Sequence, residues 1–508
     1  MKKILLPLLS LALIFAACQK NQNESIRSDT RQPAQLQSTQ EINAYISAVI
    51  DSKGEFNWKD ASDYTLYSAI MHSDDHMVSV GYKPADEENV EEELAKINLH
   101  DNRWMGAKIQ VLQLIIQEEK LVRPQLKLED VEVWKENKLP VIDVRIDNIN
   151  TLRSLRQSKL IRYVEPMGYE PERFDGQTQK TTATGPGCGS YSGDPNLVEG
   201  DDFKTVLPDA KQSWNYPSHT IPKAWVQSTG RGIKVMVIDT GVSPDQDNMG
   251  NDFNQGRSSG RTLQKIFTLP NATSADDVCG HGTTMSSTVA APRCIDGNSV
   301  GVAYNCNLVI CKASNDVIID ESSEVKGVAD AFTIAADDTS IKITSLSLGR
   351  VTTSSQIKDA IIYAYDKGKL MFCAAGTSSI FTSWFGVIFP ATMSQVQAVT
   401  GVKSRSTLSA CNDCHKGAAV DFVTVMQQAS DAGTPIANAL SGDVPTTVGG
   451  SSVATATAAG IAALVWSYHP AETRAQIVQR LVTTASAYPN RTGNFGWGKM
   501  NAYAAINQ

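Results

Sequence analysis

Long apolar runs and a strong charge of either sign are both missing from this chain of 508 residues. Beyond the N-terminus, no stretch reaches the roughly 20 apolar residues that a transmembrane helix requires. The formal net charge of −8 is spread thinly and argues against a nucleic-acid partner. With 42% hydrophobic and 20% charged residues, the composition is that of a globular protein, and the length predicts about three units.

Specific metal-ligand spacings are missing as well. Cys411-Asn412-Asp413-Cys414-His415 matches the attachment pattern of c-type haem, but it lies in a short polar segment, which favours a local disulfide or a surface turn. A zinc site would need a second pair of ligands that the sequence does not offer. No spacing of loop Asp and Asn residues assigns a calcium ion. We therefore predict no cofactor and no assignable metal site, with structural calcium left open.

The first 18 residues have the pattern of an export signal. Two lysines precede an apolar run over residues 4–14, and two alanines lead to Cys18. The run is too short to span a membrane and predicts a signal peptide. A Cys directly after small residues is typical of a bacterial lipoprotein. Cys18 is therefore predicted to carry a lipid that anchors the exported precursor to the outer membrane or cell surface. The alternative is plain secretion after cleavage near Ala17.

Eight further cysteines fit an exported protein, because an even number outside the cytoplasm favours disulfides. The sequence does not choose their pairing. Cys373 lies in an apolar run and is also consistent with a reduced, buried side chain. The eight are Cys188, Cys279, Cys294, Cys306, Cys311, Cys373, Cys411 and Cys414.

Composition and periodicity divide the rest of the chain. Residues 19–43 are polar and predict a disordered tether. Residues 44–170 predict a small α+β domain, and its expected strands and helices lie at 77–82, 91–97, 104–121, 141–146, 150–157 and 160–165. Residues 171–212 are rich in Gly, Pro, Ser and Thr and predict a linker that is open to proteolytic processing.

From residue 213 to 508, apolar β-type runs alternate with helical segments. The runs lie at 233–238, 307–310, 341–348, 369–375 and 396–402. Continuous apolar strands separated by helices predict a mostly parallel sheet between two helical layers, a three-layer α/β domain. Active sites of such sheets lie at the carboxyl ends of the strands.

Three short segments of this domain carry catalytic residue types. Asp239 ends a buried strand, His281 lies between two glycines before a helix of small residues, and Ser452 begins an apolar helix. A carboxylate, an imidazole base and a hydroxyl in the order Asp, His, Ser belong to one class of serine hydrolases. Taken singly, the Asp could cap a turn, the His could pack in the core, and Ser451 or Ser452 could cap the helix.

From these segments the domain at 213–508 resembles the subtilisin-like serine proteases, the subtilases. The family pattern Gly-Thr-Ser-x-Ala matches Gly450-Ser451-Ser452-Val453-Ala454 and selects Ser452 as nucleophile. The resemblance implies a subtilisin-like fold and a Ser-His-Asp triad. It also implies that residues 44–170 are a ferredoxin-like pro-domain that assists folding and inhibits the enzyme, the alternative being an unrelated module.

One position departs from the family pattern. Subtilases have Asn after Ala-Ala-Gly, and its amide donates to the oxyanion, whereas this chain has Thr377 after Ala374-Ala375-Gly376. Loss of such a donor costs about 10²–10³ in turnover. Either the Thr377 hydroxyl takes the role, another group does, or the enzyme is slow.

The resemblance also suggests where a substrate binds. Ser347-Leu348-Gly349 is similar to the strand edge that pairs with a peptide backbone, and Ala375-Gly376 is similar to the opposite wall. Recognition would then occur by β-strand addition.

The leading hypothesis is an exported serine endopeptidase made as an autoinhibited precursor. Its partners would be a protein or peptide substrate, its own pro-domain, and the membrane through the lipid at Cys18. The alternative is a catalytically weak or silent lipoprotein that binds peptides in the same cleft, and Thr377 is the feature that favours it. A sedolisin-like enzyme is disfavoured, because that group has acidic residues where this chain has His281.

Overall fold

The computed structural model describes residues 35–136, 138–171, 187–189, 191–378 and 386–508. The predicted signal peptide, Cys18, most of the predicted tether and part of the predicted linker lie outside these residues.

The described residues from 35 to 171, here called the N-terminal region, form an α+β unit. Its α-helices are α1 (Thr39–Lys53), α2 (Asp63–His72), α3 (Val90–Glu93), α4 (Asn102–Glu119) and α5 (Ile149–Gln157). Its strands are β1 (Met77–Tyr82), β2 (Glu132–Trp134), β3 (Val141–Arg145) and β4 (Ile161–Pro166). The sheet order is β2-β3-β1-β4 with antiparallel neighbours. With α4 between β1 and β2 and α5 between β3 and β4, this is the ferredoxin-like connection.

Two boundaries differ from the sequence expectation. Helix α1 begins at Thr39, inside the stretch 19–43 that its polar composition assigned to a tether. A capping box starts it: the Ser38 hydroxyl accepts from the backbone N–H of Glu41, whose carboxylate accepts from the N–H of Ser38. Strands β5 (Phe203–Val206) and β6 (Ala210–Ser213) form an antiparallel hairpin at the end of the stretch 171–212 that was expected to be linker, and the hairpin continues one residue beyond it.

The described residues from 187 to 508, here called the C-terminal region, contain a large sheet between helices. Its other strands are β7 (Lys234–Asp239), β8 (Leu263–Phe267), β9 (Asn307–Lys312), β10 (Ile341–Leu346), β11 (Leu370–Ala374), β12 (Gln397–Lys403), β13 (Phe422–Gln427), β14 (Ile436–Ala437) and β15 (Thr446–Thr447). Its α-helices are α6 (Ile221–Ala224), α7 (His281–Ala290), α8 (Ser322–Asp337), α9 (Ser355–Asp366), α10 (Gly450–Tyr468), α11 (Arg474–Thr483) and α12 (Ala502–Asn507).

The large sheet has the order β13-β12-β11-β10-β7-β9-β8, and its neighbouring strands are parallel. The predicted three-layer α/β fold is therefore confirmed. The five predicted strands are present, while the edge strands β8 and β13 were not predicted. β8 is half-exposed and gives no apolar run, whereas β13 reads Phe-Val-Thr-Val-Met and could have been found.

Side chains of successive residues on β7 enter two different cores, as the alternation of a strand requires. Met236 and Ile238 pack with residues of α8 and α9 on one face of the sheet. Val235 and Val237 pack with residues of α7 and α10 on the other face. Residues at the end of β7 can therefore be contacted by a helix of the second layer.

Helix α10 is a core helix of that second layer. It is longer than the apolar run predicted from the sequence and, among the described residues, is the one helix long and apolar enough to cross a membrane. However, 89% of its apolar window is buried inside the protein. Packing against α7 and five strands of the large sheet accounts for its composition.

Candidate active site

A hydrogen bond at the carboxyl end of β7 joins the first two predicted catalytic residues. Nδ1 of His281 lies 2.7 Å from Oδ1 of Asp239. Both side chains are buried, at 5% and 0% exposure. When Nδ1 carries the proton of this bond, Nε2 of the neutral ring is free to accept one. The pair is therefore arranged for general-base catalysis.

Close backbone approach explains one of the glycines beside His281. A Cβ added to Gly282 would lie 2.3 Å from the carbonyl oxygen of Gly241 and 3.0 Å from the nitrogen of Thr240. No side chain fits there, so only glycine lets the first turn of α7 contact the loop that follows β7.

Burial and charge act in opposite directions on His281. Burial lowers the pKa of His281, but the charge and hydrogen bond of Asp239 raise it, and the charges of Asp277 and Asp316 add to that effect. The net result is a raised pKa. Burial also raises the pKa of the neighbouring Asp316 to about 6.

Sequence reasoning missed Asp277, a buried carboxylate four residues before His281. Its oxygens accept hydrogen bonds from five donors at the start of α7 and the end of β7: the N–H groups of Cys279, Gly280 and Thr283 and the hydroxyls of Thr240 and Thr283. An Asp ahead of a helix start is a capping signal that could have singled it out.

Ser452 lies in the first turn of α10, the helix that packs against α7. It is 7% exposed. The hydroxyl of Ser347 donates to the carbonyl oxygen of Ser452 at 3.0 Å, which ties this turn to the segment that follows β10. The turn begins at Gly450, where φ is +82° and an added Cβ would lie 2.9 Å from the Thr377 hydroxyl.

Thr377 contacts the residue before the proposed nucleophile. Its hydroxyl lies 3.0 Å from the hydroxyl of Ser451 and accepts from the N–H of Ser451 at 3.3 Å. The Ser451 hydroxyl in turn accepts from the N–H of Gly376 at 3.1 Å. The two hydroxyls are therefore paired with each other beside the start of α10.

The residues predicted to bind a substrate backbone are partly engaged within the protein. The N–H of Gly349 donates to Val317 O at 3.2 Å, and the carbonyl of Gly349 accepts from the N–H of Ile319 at 3.0 Å. On the opposite wall, Ala375 and Gly376 also use both backbone groups internally. The role of these residues, with Ser347 and Leu348, remains a prediction, and Gly349 does not offer its backbone in this conformation.

Two disulfides lie next to the site. Cys188 is bonded to Cys279, two residues before His281. Cys411 is bonded to Cys414, so the haem-like motif forms a local disulfide. The segment with that disulfide runs beside Thr377, because Thr377 and Cys414 form a backbone bridge. The remaining described cysteines form no disulfide and are buried: Cys294, Cys306, Cys311 and Cys373. A reduced, buried side chain is the alternative that the sequence left open for Cys373, whereas the expectation of disulfides is not met at these four positions.

A buried Asp–His pair lies at the carboxyl end of an inner strand of a parallel sheet, and serines lie at the start of a neighbouring helix. Serine hydrolases depend on this combination of groups. Comparison with known proteins shows to which family of serine hydrolases the chain belongs. A family model described as the subtilase family matches residues 230–498, which is more than half of the chain. The chain therefore belongs to the subtilase family of serine-type peptidases.

Individual relatives agree with this placement. M-protease of Shouchella clausii (strain KSM-K16) is 29% identical over 277 residues, which cover 54% of this chain and 65% of that protein. Alkaline elastase YaB of Bacillus sp. (strain YaB) is 30% identical over 283 residues, with the same coverage. The chain thus spans 65% of the length of these two curated relatives.

Among solved structures, fervidolysin from Fervidobacterium pennivorans, a keratinolytic enzyme related to subtilisin, gives a TM-score of 0.56 at 16% identity. The match covers 85% of this chain and 61% of fervidolysin. At this identity the likeness shows the fold alone.

Proposed function

We propose that the chain is an exported serine endopeptidase that cleaves peptide bonds in proteins through an acyl-enzyme. The observation that carries the proposal is the 2.7 Å hydrogen bond between buried Asp239 and His281. It lies in the segment matched by the subtilase family, and α7, which begins with His281, packs against α10, whose first turn contains Ser451 and Ser452.

In the proposed reaction, Nε2 of His281 takes the proton of the Ser452 hydroxyl as Oγ bonds to the substrate carbonyl carbon. The C–N bond then breaks, and His281 gives its proton to the leaving amine. Water, deprotonated by the same imidazole, adds to the acyl-enzyme and releases Ser452. Asp239 stabilises the imidazolium in both steps, and the raised pKa of His281 is the electrostatic signature of that contact.

The paired hydroxyls of Thr377 and Ser451 support an oxyanion-binding site in this chain, which has Thr377 where the family has Asn. The single bond between Thr377 and Ser451 uses one of their two hydroxyl protons. Both oxygens accept a backbone N–H, and no hydrogen bond among the described residues uses the second proton. That proton and the backbone N–H of Ser452 would be the two donors to the oxyanion.

We further propose that the N-terminal region is an inhibitory pro-domain. Its β4 strand binds the start of α9: the carboxylate of Glu165 accepts from the N–H and the hydroxyl of Ser355 at 2.7 and 2.6 Å. A carboxylate at a helix N-terminus is favourable because it meets unpaired N–H groups and the positive end of the helix dipole.

Buried ion pairs support the same packing. Arg162 donates two hydrogen bonds to Asp359 of α9, at 2.6 and 2.8 Å. Arg350, fully buried after β10, pairs with Glu170 at 2.8 Å. Its guanidinium also donates to the carbonyls of Met167 and Tyr169. These contacts would lead the chain after β4 from α9 toward the segment that follows β10.

Export and lipidation complete the proposal. The subtilase match supports an exported peptidase, and the sequence pattern at Cys18 supports a lipid-anchored precursor. Processing between residues 171 and 187 would separate the N-terminal region from the enzyme. The new N-terminus would stay attached beside His281 through the Cys188–Cys279 disulfide.

Hydrolysis of an unfolded protein substrate by the full chain tests the proposed activity. We expect the wild-type chain to release new peptide N-termini and the Ser452→Ala chain to release none above background. Sequencing of the mature N-terminus is expected to give a start between residues 171 and 187. A wild-type chain that binds the substrate without hydrolysing it would support the peptide-binding alternative, in which the Thr377 hydroxyl does not replace the family's amide.

A further inference from the structure

Asp277 has more hydrogen bonds than a helix cap requires, and no step of the proposed reaction uses it. Its Oδ2 accepts from the N–H and hydroxyl of Thr283 at 2.8 and 2.6 Å, inside the first turn of α7. Its Oδ1 accepts from the N–H of Gly280 at 2.7 Å and from the hydroxyl of Thr240 at 2.9 Å. The last bond leaves α7 and reaches the loop after β7.

Through Thr240, Asp277 is connected to both members of the acid–base pair. The Thr240 hydroxyl donates to Asp277 and accepts from the N–H of Gly282, the residue after His281, at 2.8 Å. The backbone N–H of Thr240 donates to Oδ1 of Asp239 at 2.8 Å. One hydroxyl therefore sets the distance between the segments that carry Asp239 and His281.

Asp239 depends on this connection, because its own hydrogen bonds fall on one oxygen. Both His281 and Thr240 donate to Oδ1. Oδ2 is buried, and no donor in the described part of the chain reaches it. A carboxylate held at one oxygen takes its orientation from the positions of its two donors.

Lys312, at the end of β9, binds both the loop that follows β7 and the loop that precedes α7. Its buried ammonium group donates to the carbonyl oxygen of Asp276 at 2.9 Å and to that of Thr240 at 3.3 Å. Burial lowers the pKa of Lys312, and the charges of Asp277 and Asp276 offset part of that effect. We call Thr240, Asp277 and Lys312 the clamp.

Given the proposed function, we propose that Asp277 is a positioning residue for the acid–base step, which through the clamp fixes the imidazole of His281 against Asp239 in its neutral and its protonated state. The negative charge of Asp277 also favours the imidazolium, because it contributes to the raised pKa of His281. A residue that only capped α7 would stabilise the fold and act on His281 through its charge alone, and loss of the Thr240 bridge would then leave the His281–Asp239 hydrogen bond in place.

Several ionisable groups surround His281, and the test must separate Asp277 from the rest. Asp239, Asp277 and Asp316 act on the pKa of His281 itself. Tyr191 and Lys312 interact with Asp277, and Asp276 and Glu324 act on Lys312. Asp276 supplies a matched control, since it is the adjacent residue, carries the same charge, and has an exposed side chain.

The experiment is an NMR titration of the His281 imidazole in the full Ser452→Ala chain, with Asp277→Asn compared with Asp276→Asn. We expect Asp277→Asn to lower the pKa of His281 by about one unit and Asp276→Asn to leave it within experimental error. The Asp316→Asn background removes a neighbouring carboxyl whose pKa burial raises to about 6. Glu324, whose pKa burial raises to about 8, is the same in both chains and cancels in the comparison. Equal titrations in the Asp277→Asn and Asp276→Asn chains would overturn the proposal.

A second pair of variants decides the matter if Asp277→Asn does not fold. Thr240→Val removes the bridging hydroxyl and should abolish the low-field proton resonance of the His281–Asp239 bond, while Thr240→Ser should keep it. Retention in both would overturn the proposal.

The same substitutions can be made in the chain that retains Ser452. There they should shift the midpoint of the acid limb of kcat/KM by the amount that they shift the pKa of the imidazole, and KM should not change. An inactive wild-type chain would instead refute the proposed function, while the titration would still decide the role of Asp277.

Discussion

The proposed active site has two sides, an acid–base side and a proposed oxyanion side, and different chemistry holds each of them. On the acid–base side, the Asp239–His281 pair is supported by a second carboxylate, Asp277, and by the ammonium group of Lys312. On the oxyanion side, Thr377 and Ser451 are held by neutral hydroxyls and backbone N–H groups. Charged hydrogen bonds are about twice as strong as neutral ones. Changes on the acid–base side should therefore cost more and depend on pH, and changes on the oxyanion side should cost less at every pH.

The largest effect should follow removal of the base itself. We expect His281→Ala to lower kcat by about 10⁶, the size found when the triad His or Ser is removed from a subtilisin. Turnover of a chromogenic peptide measures it, with circular dichroism as the control for folding. A loss below about 10² would show that another group acts as base and would break the comparison.

A smaller effect is expected on the oxyanion side. Thr377→Val removes one hydroxyl of the pair and should lower kcat about 10²-fold with little change in KM, since the donor acts on the transition state. Thr377→Ser keeps the hydroxyl and is the matched control. The loss should be the same at acid and neutral pH. If Thr377→Val is as active as Thr377→Ser, the second donor lies elsewhere.

The pH profile distinguishes the two sides directly. His281 must be neutral to accept a proton, and its pKa is raised overall, so the acid limb of kcat/KM should lie above the value of about 6.5 for a free imidazole. Activity should fall about tenfold for each pH unit below that midpoint. Thr377→Val should leave the midpoint in place. A midpoint below 6 would mean that burial outweighs the carboxylates.

The smallest effect concerns Asp143, a buried carboxyl group in β3 of the N-terminal region. Burial raises the pKa of Asp143 to about 7, although Lys326 and Gln356 lower it in part, and Gln356 of α9 donates to it at 3.2 Å. An unfolded aspartate ionises near pH 4. Between about pH 4 and 7 the folded chain therefore holds a proton that the unfolded chain releases, and stability falls as pH rises.

Asp143→Asn should flatten this dependence, which is at most about 1.4 kcal/mol per pH unit. Urea unfolding of the full Ser452→Ala chain at pH 5 and pH 7 measures the effect, and Asp147→Asn in the same chain is a control carboxyl whose pKa is lowered in the fold. Equal slopes with and without the Asp143 carboxyl would show that this group stays ionised in the folded chain.

The parts of the fold and site that could be predicted are those that neighbouring residues in the sequence determine. Apolar runs gave the five inner strands of the large sheet, and the glycines beside His281 reflect a close approach that the structure contains. The half-exposed β8 has no such run. A polar stretch can still form a helix or a hairpin when caps and packing satisfy its backbone hydrogen bonds. Composition alone therefore missed the start of α1 and the hairpin β5–β6.

Contacts between distant segments were not predictable in the same way. Cys188 and Cys279 are 91 residues apart, and eight thiols allow many pairings. The bond between Asp277 and Thr240 and the bond between Thr377 and Ser451 join segments from different strands and helices. Neither a motif nor a period specifies them, because the fold alone brings these segments together.

The central claim is that Ser452 is the nucleophile that the Asp239–His281 pair activates. Mass spectrometry of the processed chain after treatment with a fluorophosphonate tests it most directly. We predict one covalent adduct, on Ser452, that is absent from the His281→Ala chain. A processed, folded chain with no adduct, or with the adduct on Ser451, would contradict the account.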